Sequence, residues 1–146
     1  MVENLGGEDY RRGDMMKIAV SATDKSLDAN VDPRFGRCPY FVIVETEGNK
    51  IKKHEVVENK SVGAMRGAGI QAAQTVANKE AEVVITGNIG PNSFQVLSTT
   101  GIKIVTGVSG NVKEAIEKYL KGELKETSSP TTFAGRGMGG GRRWRK

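Results

Sequence analysis

Thr86-Gly87-Asn88-Ile89-Gly90-Pro91-Asn92 is the stretch of this chain best equipped to hold a ligand. Its two glycines let the backbone turn sharply and approach a bound group closely. Pro91 suits the first position of a helix, and the free amides at such a start attract anions. The segment has no catalytic side chain. Its chemistry is retention of something negative, not cleavage.

Two further stretches carry similar chemistry. Arg34-Phe35-Gly36-Arg37-Cys38 sets two arginines about a glycine, and guanidinium presents a rigid fork of donors to an anion. The same positive charge could lower the pKa of Cys38 and make it a soft metal ligand; a buried small thiol at a strand entrance is the competing reading. Arg66-Gly67-Ala68-Gly69 stands where a helix should begin. It lacks the Lys-Ser/Thr of a P-loop and the spacing of a dinucleotide fingerprint, which leaves an anion-tolerant helix start with an arginine beside it. Asp24, Asp28 and Asp32 miss the alternating ligand positions of an EF-hand and read as a solvated loop. His54, beside Lys52 and Lys53, reads as surface.

The elements that must position these residues follow from hydrophobic pattern. Strands are expected at Lys17–Ser21, Tyr40–Glu45 and Ile51–Val57, the last two joined as a hairpin through Glu47-Gly48-Asn49-Lys50. A helix over Ile70–Asn78 would present Ile70, Ala73, Val76 and Ala77 as its apolar face. Strand Val83–Thr86, helix Asn92–Thr99 and strand Ile102–Thr106 come next. A last helix, capped by Asn111, buries Val112, Ile116, Tyr119 and Leu120. The order β-β-β-α-β-α-β-α implies an α/β fold with a mixed sheet between helix layers. Ligands of such sheets sit beyond the carboxyl ends of the strands. Those ends are Ser21-Ala22-Thr23, Thr86-Gly87-Asn88 and Thr106-Gly107-Val108-Ser109, all small, polar and glycine-bearing or close to it. Short turns use these residues in any case; three of them on one edge make a candidate site.

Composition bounds the partners. The 146 residues fit one domain with a real core. The net charge of +5 resides in the tail, where Arg136, Arg142, Arg143, Arg145 and Lys146 stand within Ala134–Lys146. Residues 1–15 read as a disordered extension, 16–125 as the folded domain and 126–146 as a flexible Gly/Arg-rich tail. Cys38 and His54 are the only cysteine and histidine, too few for a Cys/His zinc site of about four ligands. No run approaches the ~20 apolar residues of a membrane span, and no signal-peptide pattern is present. A cytoplasmic location is expected, without membrane association.

Taken together, Arg34-Phe35-Gly36-Arg37 before Tyr40-Phe41, Gly67-Ala68-Gly69-Ile70, Gly87-Asn88-Ile89-Gly90-Pro91-Asn92 and Gly101-Ile102-Lys103-Ile104 resemble the dinitrogenase iron–molybdenum cofactor biosynthesis family, the NifX-like domain also found at the end of NifB. The resemblance covers about residues 16–125 and rests on the order and spacing of these pieces. It implies a three-layer, ribonuclease H-like fold: a five-stranded sheet of order 3-2-1-4-5, strand 2 antiparallel, with three main helices. It also implies binding or carriage of an anionic metal–sulfur cluster of iron–sulfur, iron–molybdenum or molybdenum–copper type. Such a cluster brings its own sulfides, so arginines and amides could hold it with few protein ligands.

The expected function is therefore a non-enzymatic carrier that exchanges its cluster with a donor or client protein of cofactor assembly. Candidate cofactor-binding residues are Ser21, Thr23, Arg34, Arg37, Arg66, Gly67, Gly69, Gly87, Asn88, Gly90, Thr106 and Gly107, with Cys38 as the candidate metal ligand. The alternative is a nucleic-acid-binding protein that uses the ribonuclease H-like domain and the basic tail, since clustered cations neutralise phosphates and Trp144 could stack on bases. An acidic protein partner would suit the same tail. A small-molecule enzyme ranks last, because no nucleophile–base pair can be placed.

Overall fold

The computed structural model describes residues 15–60 and 67–131. Strands β1 (Met15–Ala22), β2 (Tyr40–Glu47) and β3 (Lys50–Glu58) precede helix α1 (Ala68–Asn78). Then come β4 (Val83–Ile85), α2 (Pro91–Thr99), β5 (Lys103–Val105) and α3 (Val112–Leu120). The five strands form one sheet of order β3-β2-β1-β4-β5. β2 runs antiparallel to both neighbours, pairing Ala22 with Tyr40 and Tyr40 with Glu58 at one end. β4 is parallel to β1 and to β5, with Val20, Ile85 and Val105 in register. Topology and strand order match the expectation.

The central strand explains why sequence identified it. Ile18 through Ala22 are all fully buried, as expected of a strand covered on both faces, which reads as a continuous apolar run. Ile18, Val20, Val42, Val44, Ile85 and Val105 face α3 through Val112, Ala115 and Ile116. Ala19, Phe41, Ile43, Val84 and Ile104 face α1 and α2. Tyr119 and Leu120 are half-buried against the α3 side.

One helix departs from its expected form. α1 begins at Ala68 and buries Ala68, Ala72, Ala73 and Val76. Ile70, expected at the core, is 36% exposed. At 100° per residue it stands roughly opposite Ala68. The small side chains of the true face let α1 lie close to the sheet and to α2. Its N-cap, Gly67, sits at φ 72°, where a side chain would be strained.

Candidate functional site

β3 and β1 both run against β2, so β1, β3, β4 and β5 all point the same way. Their ends, Ala22, Glu58, Ile85 and Val105, share one edge of the sheet. The turns entering α1, α2 and α3 and the loop entering β2 lie there too. Topology thereby gathers Ser21, Thr23, Arg34, Arg37, Gly67, Gly69, Gly87, Asn88, Gly90, Thr106 and Gly107 on the carboxyl edge. Arg66 lies outside the described residues.

The loop before β2 fills the end of the crevice between β1 and β4. Val31 bridges Ala22, and Arg34 bridges Asn88 in parallel fashion. The Asp32 amide donates to the Ser21 carbonyl at 2.8 Å, and the Asn88 amide donates to the Pro33 carbonyl at 2.8 Å. Gly87 makes this approach feasible: a Cβ on it would stand 2.6 Å from Pro33 Cα. Phe35, 2% exposed, anchors the loop against Phe41 with ring centroids 5.3 Å apart. Burial of such a ring stabilises by about 1.5–3 kcal/mol, so the loop is a fixed wall.

Several candidate side chains are used up in building this wall. Ser21 is fully buried; its hydroxyl donates to the Asp32 carbonyl at 2.8 Å and lies 2.7 Å from Thr86 Oγ1. Thr23 Oγ1 accepts from the Asn30 amide at 3.2 Å. Asp32, expected in solvent with Asp24 and Asp28, is instead 2% exposed, while Asp24 and Asp28 are exposed. Its Oδ1 accepts from the Arg34 amide at 2.8 Å and from Arg34 Nε at 3.2 Å, and its Oδ2 from Nη2 at 3.3 Å. The hydrogen bonds and charge of Asp32 raise the pKa of Arg34. The Arg34 side chain remains 63% exposed and Arg37 is exposed.

Cys38 does not behave as a thiol activated by neighbouring arginines. It is fully buried, its Sγ donates to the Phe35 carbonyl at 3.3 Å, and its pKa is pushed up to about 12. Burial is the main cause, with the Asp32 charge adding to it. Desolvation wins because distant elements enclose the sulfur while both arginines reach outward. Asn59 completes the wall: it is 1% exposed, and its Nδ2 donates to the Cys38 carbonyl at 2.7 Å and the Gly36 carbonyl at 3.2 Å. Its only sequence signal is an asparagine just past a strand. Among the described residues no group of three or more His, Cys, Asp and Glu could hold a metal ion, and His54 is exposed on β3.

Two helix starts open on this edge. The first intrahelical bond of α1 runs from the Gln71 amide to the Gly67 carbonyl at 2.9 Å, so the amides of Ala68, Gly69 and Ile70 point out of its start. α2 begins with Pro91, and its first bond runs from Phe94 to Gly90 at 3.0 Å. Among the described residues neither start has a side-chain cap. α3 differs, because Asn111 Oδ1 accepts from the Glu114 amide at 3.1 Å and Glu114 occupies its first turn. The Arg34–Cys38 loop links the open starts: Arg34 pairs with Asn88, just ahead of Gly90, while a Cβ on Gly36 would lie 3.1 Å from Gly69 N. A Cβ on Gly69 would in turn meet the Ser93 hydroxyl of α2, which fills that place.

The C-terminal segment also reaches this edge, which sequence did not reveal. Thr127 donates its amide to the Ile104 carbonyl at 2.6 Å, and its hydroxyl accepts from the Thr106 amide at 3.0 Å. Thr131 Oγ1 accepts from the Ile89 amide at 2.7 Å, and the Thr131 amide donates to the Ile89 carbonyl at 2.9 Å. The part of the expected flexible tail that is described is thus tied to the fold; residues 132–146 lie outside the described residues. Two cavities, about 380 and 590 Å³, open at the opposite edge beside Met16 and contain none of the candidate residues. No helix among the described residues is long and apolar enough to cross a membrane.

Comparison with known proteins agrees with this architecture. Residues 16–122 match the family model described as dinitrogenase iron-molybdenum cofactor. An uncharacterized protein of Methanocaldococcus jannaschii is 35% identical over 112 residues, spanning 77% of this chain and 92% of its own length. The apo form of the orange protein from Desulfovibrio gigas superposes with a TM-score of 0.76 at 39% identity, covering 81% of this chain and 98% of that one. A NifB-like protein from Thermotoga gives a TM-score of 0.67 at 33% identity, covering 80% of this chain and 98% of that one. The chain belongs to the dinitrogenase iron–molybdenum cofactor family.

Proposed function

We propose that this protein binds an anionic metal–sulfur cluster at the carboxyl edge and carries it, without catalysis, between proteins of cofactor assembly in the cytoplasm. The observation that carries this reading is the pair of uncapped helix starts, α1 and α2, spanned by a loop that presents Arg34. Each start offers outward amides and a partial positive charge of about half a unit. Arg34 adds a guanidinium in a fixed pose, its charge offset in part by Asp32 and its outer donors left facing the edge. A cluster rich in sulfide accepts hydrogen bonds from such donors and is attracted to all three groups at once.

The buried Cys38 fits a site that relies on amides and guanidinium before thiolate. A loosely held cargo also suits transfer, since an anion held by backbone donors leaves without breaking a metal–thiolate bond. Membership of the cofactor family and the likeness to the orange protein support a cluster over other anions. The test is anaerobic reconstitution of the full chain with ferrous iron, sulfide and tetrathiomolybdate, followed by gel filtration. Retained metal with charge-transfer bands in the visible spectrum is expected. Folded protein that emerges free of metal and colour, alongside a control carrier that stays loaded, overturns the reading.

A further inference from the structure

Thr127 and Thr131 lie beyond the family match, which ends at residue 122, yet both reach into the carboxyl edge. Each hydroxyl serves as acceptor for a backbone amide of a strand-end turn: Thr106 after β5, and Ile89 before α2. Thr127 Oγ1 lies 2.7 Å from Thr106 Oγ1 as well. The two turns are themselves joined by the Gly107 amide, which donates to the Gly87 carbonyl at 2.8 Å. One short segment therefore satisfies donors in two adjoining walls of the candidate site. Two backbone bonds, from Thr127 to the Ile104 carbonyl and from Thr131 to the Ile89 carbonyl, already hold the segment on the edge, and the Thr131 hydroxyl also donates to the Ile89 carbonyl at 3.2 Å. The hydroxyl contacts do something further.

We propose that the amides of Ile89 and Thr106 are ligand-binding donors, held shut by the 127–131 strap until an anionic sulfide-bearing ligand displaces it. This rests on the function proposed above and deepens it by naming two donors and the group that competes for them. A neutral hydroxyl is a weak occupant of such positions. Hydrogen bonds to an ionised acceptor are roughly twice as strong as those between neutral groups, so an anion wins both amides while a neutral molecule or water does not. The strap gains conformational freedom on release, which offsets part of its lost bonds. The strap thus keeps these donors satisfied and yields them to charge alone.

The experiment uses the full chain, labelled with nitrogen-15 and titrated anaerobically with tetrathiomolybdate, with amide resonances and solvent exchange followed by NMR. The amides of Ile89 and Thr106 should shift, and residues 127–131 should lose protection from exchange as the ligand saturates. The double variant Thr127→Val/Thr131→Val should bind about five- to tenfold more tightly, as expected when about one or two weak hydrogen bonds no longer compete. Shifts at Gly67–Gly69 and Arg34 with an unmoved 127–131 segment would assign the strap a purely structural role and leave the cluster reading standing. Unchanged affinity of a folded double variant would do the same. Spectra without any shift would remove both proposals together.

Discussion

Arg34 lays its guanidinium along the carboxylate of Asp32, two residues earlier, with Nε to Oδ1 at 3.2 Å and Nη2 to Oδ2 at 3.3 Å. One partner is buried and the other is 63% exposed. The acid holds the fork in place, and the arginine keeps a face toward the edge where the two uncapped helices begin. Arg34→Lys keeps the charge and loses the planar fork. Anaerobic binding of tetrathiomolybdate should weaken roughly tenfold, the effect of losing one charge-assisted hydrogen bond. Equilibrium dialysis of the variant against the parent chain measures it. Arg34→Ala should also lower the urea midpoint, because among the described residues Asp32 then keeps only the backbone amide of residue 34 as a partner.

Cys38 makes stability depend on alkali. Its folded pKa lies at about 12, above the ordinary 9.0, so the neutral thiol is favoured by the fold. The associated stability is complete below pH 9 and is lost as pH rises towards 12. The unfolded chain releases the proton first, and the loss approaches about 1.4 kcal/mol per pH unit across that window. Urea unfolding of the parent chain and Cys38→Ala at pH 8 and pH 10.5 isolates it: the difference between them should shrink at the higher pH. The same burial predicts that a disulfide reagent such as Ellman's labels Cys38 slowly at pH 8 until urea opens the chain.

Gly87 and Gly69 are both close-packed, but against different obstacles. A methyl on Gly87 would meet Pro33 backbone at 2.6 Å, whereas a methyl on Gly69 would meet the Ser93 hydroxyl, which can rotate away. Gly87→Ala should therefore be the costlier change, by about 1–3 kcal/mol of overpacking strain. Adding Ser93→Ala to Gly69→Ala should restore most of the smaller loss, a coupling that a double-mutant cycle in urea reads directly.

The basic residues after Thr131 should carry any affinity for polyanions. A chain ending at Thr131 keeps the ties to Ile104, Thr106 and Ile89 and should melt at the same temperature as the full chain. It lacks Arg136, Arg142, Arg143, Arg145 and Lys146. Retention on heparin, a polyanion, should fall sharply and lose most of its salt dependence. Equal retention of the two chains would remove the tail from any account of polyanion binding.

Sequence revealed the sheet because its strands are β-branched runs bounded by turns, and β1 is buried on both faces. It placed the start of α1 within Arg66–Gly69, where Gly67 caps the helix, but the bulk of Ile70 drew the expected face away from the alanines. The glycine turns of the site were legible for the same local reason. What escaped depends on pairs distant in the chain: Ile89 with Thr131 is separated by 42 residues, and Ser21 with Thr86 by 65. Cys38 shows the competition most plainly. Its neighbours in sequence are cationic, but its neighbours in space are the apolar side chains of the core and the carboxylate of Asp32, and space sets the pKa.

The bond from Thr127 to the Ile104 carbonyl has a consequence for how copies of this protein meet. An outer strand such as β5, although only three residues long, ends the sheet with backbone groups to which a second molecule could pair. The chain blunts that edge with its own C-terminal segment. At the other flank, β3 carries Lys50, Lys52, Lys53, Glu55 and Glu58 in solvent, charges that discourage the same addition. Shortening the chain before Thr127 would strip that cover from one flank and leave it open to edge-to-edge pairing.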